Sequence, residues 1–332
     1  MQLFKSSIRL NKFATLAVIV LAVAYVVPDF IGRTSDDKTS SFNGGRTLFA
    51  KNASSPGRQP WNMTTHAEAD QFDMASLETA MDQIDYQLQD IRKGHPVPRF
   101  YVEQIPVDID DITDVEQRKK TFIKLVLPLI LSTNEKILER RERLADLLKK
   151  KEQGERIGPS DRKWLDQMAV RYREDIADPE RLMLKVDKVP VSLALAQAVE
   201  ESGWGTSRFA REGNALFGQR VWSTGKGIVP EERAENETHE VKAFKSIADS
   251  ITAYIHNLNS HAAYAEFREI RARHHSGVQA AYEDPPLIDT LHVYSEKGPE
   301  YVDNLRSLIE INQFDDFEDA ILAPEQLAAN RP

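Results

Sequence analysis

A chain of 332 residues, 41% hydrophobic and 29% charged, has the composition of a globular protein and not of a disordered one. Its formal net charge of −9 argues against broad nucleic-acid binding, which needs a positive surface to meet phosphates, so no nucleic-acid partner is expected. With no cysteine, disulfides, thiolate metal sites and a cysteine nucleophile are excluded.

At the N-terminus, Lys5, Arg9 and Lys12 precede an apolar run from Phe13 to Val27 in which only Thr15 and Tyr25 carry a polar group. A basic flank before an apolar core is the pattern of a secretory signal or of a membrane anchor with its N-terminus inside. Ala22-Val23-Ala24 offers a signal-peptidase site, but apolar character continues to Phe30 and Ile31, approaching the ~20 residues that span a bilayer. Residues 1–31 therefore read as a signal anchor or signal peptide. The expected location is the periplasm, with a tether to the inner membrane or release after cleavage. Residues 32–64, rich in Ser, Thr, Asp, Gly and Asn, read as a flexible linker.

Residues 65–175 read as a helical N-terminal region. Phe72, Leu77, Met81, Ile84 and Leu88 fall at helical spacing and predict a helix over Asp70–Lys93. Asp111–Lys150 reads as one long helix or two, with an apolar stripe through Phe122, Leu125, Leu129, Ile137, Leu144 and Leu148 and a kink at Pro128. The dense charges from Glu135 to Lys151 read as a solvated helix face, since no heptad persists to make a coiled coil. A further helix is expected over Asp161–Glu174.

Residues 176–313 carry the next set. Helices are predicted at Pro179–Lys185, Val189–Ser202, Ser246–Ser260, Ala262–His274 and Glu300–Ile311. Between them, turn signals at Thr224-Gly225-Lys226-Gly227 and Glu235-Asn236 flank short β-type segments, so Arg220–Phe244 reads as a small β-hairpin. The tail, 314–332, is acidic and then Ala/Pro-rich and reads as poorly ordered. The fold class is mainly α, with a small β-hairpin lobe.

The stretch from Val189 to Ser207 is the richest in chemistry. Pro190 suits a first helical turn, while Gly203 and Gly205 suit a helix stop. The helix is apolar almost all round and should be buried. At 100° per residue, Val191, Ala194, Leu195, Ala198, Val199 and Ser202 cluster on one side. Glu200 points away from that cluster, and Glu201 lies at its edge. A carboxyl held there beside Trp204 is desolvated, which raises its pKa and keeps a proton ready for a leaving oxygen. The bland reading is a solvated or capping glutamate, and for Trp204 and Phe217 ordinary core aromatics.

The string Ala196-Gln197-Ala198-x-x-Glu201-Ser202-Gly203-Trp204-Gly205-Thr206-Ser207, followed by Asn214-Ala215-Leu216-Phe217-Gly218, resembles the bacterial N-acetylglucosaminidases of glycoside hydrolase family 73. Gly227-Ile228-Val229-Pro230, His239-Glu240-Val241, Tyr254 to His261, Tyr264, Arg268 and the late Tyr294-x6-Tyr301-x3-Leu305 extend the likeness, which covers about residues 180–312. The resemblance implies a lysozyme-like helical domain with a β lobe facing a glycan groove, acting on peptidoglycan glycan strands. It places the catalytic acid on Glu201 and the family's late tyrosine on Tyr294. A second family carboxylate lies on the hairpin, where this chain offers Glu231, Glu232, Glu235, Glu237 and Glu240. Glu240 is preferred because it lies just inside the returning strand.

Cleavage of a glycosidic bond needs a proton for the leaving oxygen and something to stabilise or attack the anomeric carbon. That second part falls either to a carboxylate that activates water or to the acetamido oxygen of the sugar itself. Trp204, Asn214, Phe217, Tyr254, Asn257 and Tyr264 are the candidates for sugar contact, by stacking or amide hydrogen bonds, set against ordinary packing. No cofactor or metal is expected, because no His-Glu-x-x-His pattern occurs and His274-His275 are adjacent. Two other functions share these residues: a lytic transglycosylase using the same acid, and a wall-binding scaffold without activity.

Overall fold

Helices dominate the computed structural model, which describes residues 62–63, 72–221, 225, 227–230, 240–276 and 286–325. The expected signal or anchor segment and nearly all of the linker lie outside these residues. Among the described residues, no helix is long and apolar enough to cross a membrane.

In chain order the elements are β1 (Asn62–Met63), α1 (Met74–Gln83), α2 (Leu88–Arg92), β2 (Tyr101–Val102), α3 (Val115–Glu152), α4 (Pro159–Tyr172) and α5 (Pro179–Lys185). There follow α6 (Val191–Ser202), α7 (Arg208–Gly213), β3 (Arg220–Val221), β4 (Gly227–Ile228), β5 (Glu240–Lys242), α8 (Ile247–Ser260), α9 (Ala265–Ser276) and α10 (Pro299–Asn312). Short 3₁₀ turns occupy Ile109–Asp111, Ala262–Tyr264, Leu287–Val293 and Phe314–Phe317.

The single helix expected over Asp70–Lys93 is two helices. Asp85 takes a left-handed φ of 51° between them, and the turn is plugged by the fully buried Tyr86. Conversely, α3 is one unbroken helix through Pro128. It starts at Asp114, whose carboxylate accepts the N–H groups of Glu116 and Gln117, and ends in Lys149, Lys150 and Lys151, which suit the negative end of the helix dipole. Residues 121–134 of α3 are buried on nearly every side, Lys124 alone being half-buried, so surrounding packing holds the turn that Pro128 leaves one hydrogen bond short. Beyond Asn134 only Ile137, Leu144 and Leu147 are buried, and the charged remainder is a solvated face.

The hairpin expected over Arg220–Phe244 is a three-stranded antiparallel sheet of order β3-β5-β4. β5 is central, pairing Val241 with Arg220 on one side and with Ile228 on the other.

The tail departs from expectation through residue 325. Phe314 and Phe317 are fully buried, and Leu322 sits beside Val97 through Val97 N–H to Ile321 O at 2.8 Å and Ala323 N–H to Val97 O at 2.8 Å. Arg92 Nη2 reaches Asn312 O at 2.9 Å, and Arg99 Nε reaches Ala323 O at 2.7 Å. The acidic residues Asp315, Asp316, Glu318 and Asp319 conceal in sequence an apolar pair spaced for one turn of 3₁₀ helix.

One hydrophobic core joins all of this. α3 packs against α5, α6 and α8, so the N-terminal helices and the segment from Pro179 onward bury their apolar faces together.

Candidate active site

The site is built on α6, and both ends of that helix are tied down. Before its start, Asn134 of α3 clamps Val189, giving its amide N–H to the carbonyl at 2.8 Å and accepting the backbone N–H at 3.1 Å. Arg271, 1% exposed, donates to the carbonyls of Leu184 and Lys188 and to Asn259 Oδ1, fixing the loop that enters the helix. Glu318 from the tail accepts both Ser192 N–H at 3.0 Å and Ser192 O–H at 2.9 Å, supplying the cap that Pro190 cannot. At the far end Gly203, Trp204 and Gly205 take successive positive φ values of 59°, 61° and 79°. Ser202 Oγ accepts the Gly205 N–H at 2.9 Å and secures this reversal.

Glu201 therefore projects from the last turn of a rigid helix, and buried tyrosines surround it. Tyr301 of α10 donates its hydroxyl to Glu201 Oε1 at 2.9 Å. Tyr294 stacks on Tyr301 with centroids 5.6 Å apart, Tyr264 lies 6.1 Å from Tyr294, and Tyr254 meets Tyr294 edge-on at 6.4 Å. Phe217 stacks flat on Tyr254 at 3.9 Å, which fixes the far side of the cluster. Burial pushes the Glu201 carboxyl up to about 8, Glu200 adds to the rise, and Tyr301 and Lys297 oppose it. The same burial pushes the hydroxyls of Tyr254, Tyr264, Tyr294 and Tyr301 above their ordinary range. At neutral pH the site holds a protonated carboxylic acid among neutral phenols, which is what a general acid requires.

The remaining sequence candidates divide by location. Tyr254, Tyr264 and Tyr294 are in the cluster around Glu201, 0%, 6% and 3% exposed, and Asn257 lies beside Tyr264, where it opposes the rise in that hydroxyl's pKa. Phe217, 1% exposed, supports Tyr254 from behind and presents no surface to a sugar. Trp204 is turned to packing: its ring meets Phe122 of α3 at 5.9 Å and Phe314 of the tail at 6.3 Å, with Lys119 Nζ above it at 5.5 Å. Asn214 ends α7 in a left-handed conformation and donates to the carbonyls of Phe244 and Lys245, joining α7 to the segment that follows β5. Glu200, expected to point outward, is half-buried and accepts from Asn304 of α10 at 3.2 Å.

Glu240 is 3% exposed, and its carboxylate accepts Gly225 N–H at 2.9 and 3.0 Å and Gly227 N–H at 2.8 Å. It thus braces the turn between β3 and β4. Gly227 is required there, since a Cβ would lie 2.2 Å from Val241 O. Glu231, Glu232, Glu235 and Glu237 lie outside the described residues.

Two polar residues of the cluster were not singled out from sequence as site residues, Tyr301 and Gln197. Gln197 stands one helical turn before Glu201 on the same face, an i,i+4 relation that could have identified it. Tyr301 stands in the first turn of α10, with no local pattern to link it to a residue 100 positions earlier. Among the described residues no group of three His, Asp or Glu is placed to hold a metal ion. A cavity of about 560 Å³ lies at the opposite end of α6, lined by Pro190, Ser192, Leu193, Leu287 and Ile309 among others. Nine residues of helix, roughly 14 Å, separate Ser192 from Glu201, so this cavity is not part of the acid's surroundings.

Comparison with known proteins converges on the same region. The glucosaminidase family, described as mannosyl-glycoprotein endo-beta-N-acetylglucosaminidase, matches residues 180–314, which contain Glu201 and all four tyrosines. The protein Bax of Escherichia coli (strain K12) is 36% identical over 205 residues, covering 59% of this chain and 70% of that protein. No solved structure matches.

Proposed function

The chain belongs to the glucosaminidase family, to which it is joined with Escherichia coli Bax, and on that premise we propose that it is a peptidoglycan hydrolase. The proposed activity is that of an endo-β-N-acetylglucosaminidase, which cuts the β-1,4 glycan strand beside N-acetylglucosamine with Glu201 as general acid. The observation that carries this is the Glu201 carboxyl held at a rigid helix end by Tyr301 inside a ring of buried tyrosines, where burial raises its pKa to about 8.

In the proposed reaction Glu201 gives its proton to the bridging oxygen, and the electron pair of the breaking C1–O bond leaves with that oxygen. The anomeric carbon develops oxocarbenium character and ends with a hydroxyl from water, whose other proton restores the acid. Glu240 is already bound to two backbone N–H groups. That favours the sugar's own acetamido oxygen over a Glu240-activated water as the attacking group. Export follows from Lys5, Arg9 and Lys12 before the apolar run, which would put residues from about 32 onward in the periplasm beside the wall, tethered to the inner membrane or released.

Mass spectrometry of borohydride-reduced products from purified wall sacculi tests the activity. A glucosaminidase leaves the new reducing end on N-acetylglucosamine, a muramidase leaves it on N-acetylmuramic acid, and a lytic transglycosylase leaves an anhydro-muramic end. The expected products carry reduced N-acetylglucosamine and vanish in Glu201→Gln. Intact sacculi with the native protein would instead favour a wall-binding scaffold.

A further inference from the structure

Three hydrogen bonds behind Glu201 run in series. Tyr254 Oη lies 2.6 Å from Gln197 Oε1, Gln197 Nε2 lies 2.9 Å from Tyr301 Oη, and Tyr301 Oη lies 2.9 Å from Glu201 Oε1. Gln197 is completely buried, so water does not compete for its amide. The distances favour one orientation of the amide. Oxygen-to-oxygen bonds centre near ~2.7 Å and nitrogen-to-oxygen bonds near ~2.9 Å, so the 2.6 Å contact suits the carbonyl oxygen and the 2.9 Å contact suits the NH₂.

With the amide so oriented, every donor points the same way. Tyr254 donates to Gln197, Gln197 donates to Tyr301, and the Tyr301 hydroxyl, having accepted one bond, spends its hydrogen on Glu201 Oε1. An oxygen that accepts in this way is the carbonyl oxygen of a neutral carboxyl, and the acid's hydrogen belongs on the other oxygen. That other oxygen, Oε2, faces Gly218, where a Cβ would lie 3.8 Å away. Gly218 has φ +56°, a conformation that favours glycine, and its bare α-carbon leaves no side chain beside Oε2.

We infer that Gln197 is a positioning residue which, through Tyr301, places the transferable proton of Glu201 on Oε2, on the side of Gly218. The inference rests on Glu201 being the acid of the proposed hydrolysis and adds which oxygen delivers the proton and what selects it. The proton passes from Oε2 to the bridging oxygen as the C1–O bond breaks. The carboxylate left behind keeps the Tyr301 hydrogen bond on Oε1, so the chain stabilises the charge that forms at that moment.

The test is the sign of a pKa change. The groups that face Glu201 are Glu200 on α6, Tyr254 on α8, Tyr264 in the turn before α9, Tyr294 and Lys297 ahead of α10, and Tyr301 on α10. Tyr301→Phe changes none of their charges. A hydroxyl that donates to Glu201 favours the carboxylate, so its removal should raise the acid's pKa by at least roughly half a pH unit. Were the chain reversed, Tyr301 would accept from the neutral acid and its removal would lower the pKa. Infrared titration of the protonated carboxyl band, assigned by its loss in Glu201→Gln, reads this without turnover. The alkaline limb of kcat/KM on sacculi reads it with turnover. Gln197→Leu should move the band in the same direction by less and provides the reading if Tyr301→Phe fails to fold. A pKa that rises in these variants supports the inference, and one that is unmoved or falls overturns it. Sacculus cleavage that survives in Glu201→Gln overturns Glu201 as the acid, and intact sacculi with the native protein overturn the hydrolase reading, each separately from the infrared result.

Discussion

Keeping Glu201 neutral at physiological pH has a thermodynamic consequence for the fold. In the unfolded chain the carboxyl ionises near its ordinary 4.5, whereas in the folded protein burial pushes it up to about 8. Below pH 4.5 both states hold the proton. As pH rises from there, the unfolded state releases it and the folded state does not, so stability falls by ~1.4 kcal/mol per pH unit until the folded group ionises. Gln at this position has no proton to lose. Glu201→Gln should therefore match the native protein in stability near pH 4 and exceed it by roughly 3 kcal/mol at pH 7, while cleaving sacculi at least ~10²-fold more slowly. Urea unfolding at the two pH values checks this, and a gap that stays constant with pH would mean the folded carboxyl is ionised. Glu240 calls for a different experiment, because its carboxylate braces Gly225 and Gly227. Glu240→Gln keeps an acceptor oxygen and should retain most activity, whereas Glu240→Ala strands two N–H groups and should lose more, without rescue by azide. Equal loss in both variants, with azide restoring turnover, would make Glu240 the base that activates water.

Among the elements, α6 was the most legible. Pro190 before it, an apolar surface all round and Gly203 after it define Val191–Ser202 to within two residues of expectation, and α5 was expected at the residues it occupies. These helices announce themselves because their ends carry residues with strong conformational preferences. Elsewhere the signal was tertiary. The split between α1 and α2 depends on one left-handed Asp85, and α7 is six residues long, too short for an apolar period to develop. Trp204 illustrates the same limit at the site. Its neighbourhood to Glu201 in sequence favoured a sugar contact, whereas three positive φ values in a row send its ring toward Phe122 and Phe314. Such backbone reversals are invisible to a helical projection. Trp204→Ala should therefore act on stability, lowering it by roughly 1–3 kcal/mol, less than the ~3–5 of a fully buried aromatic because Trp204 is half-buried. Sacculus cleavage well below the melting transition should be affected far less. A selective loss of glycan affinity with unchanged stability would return Trp204 to the groove.

At the scale of the whole molecule, the family match from 180 to 314 cuts through a continuous core. α6, which carries the acid, leans on α3 from the N-terminal side and on the tail from the other. Phe122 of α3 and Phe314 of the tail hold Trp204, Asn134 of α3 clamps Val189, and Glu318 beyond the match caps the helix at Ser192. The tail in turn is fastened to the N-terminal region through Arg92, Arg99 and Val97. A segment cut at 176–313 would expose the apolar face of α6 that α3 now covers, lose both aromatic partners of Trp204 and leave the start of α6 uncapped. Each loss is a mechanism worth more than ~1 kcal/mol, against a total stability of typically ~5–15 kcal/mol for a domain. Residues 72–325 should accordingly unfold in one cooperative thermal transition and cleave sacculi, while 176–313 alone should show helical far-ultraviolet dichroism without near-ultraviolet signal or cooperative melting. Glu318→Ala in the longer protein should lower the melting temperature and leave the pH dependence of cleavage unchanged, because it acts at the end of α6 remote from Glu201. A cooperative, active 176–313 fragment would show instead that the N-terminal helices and the tail decorate an independent catalytic domain.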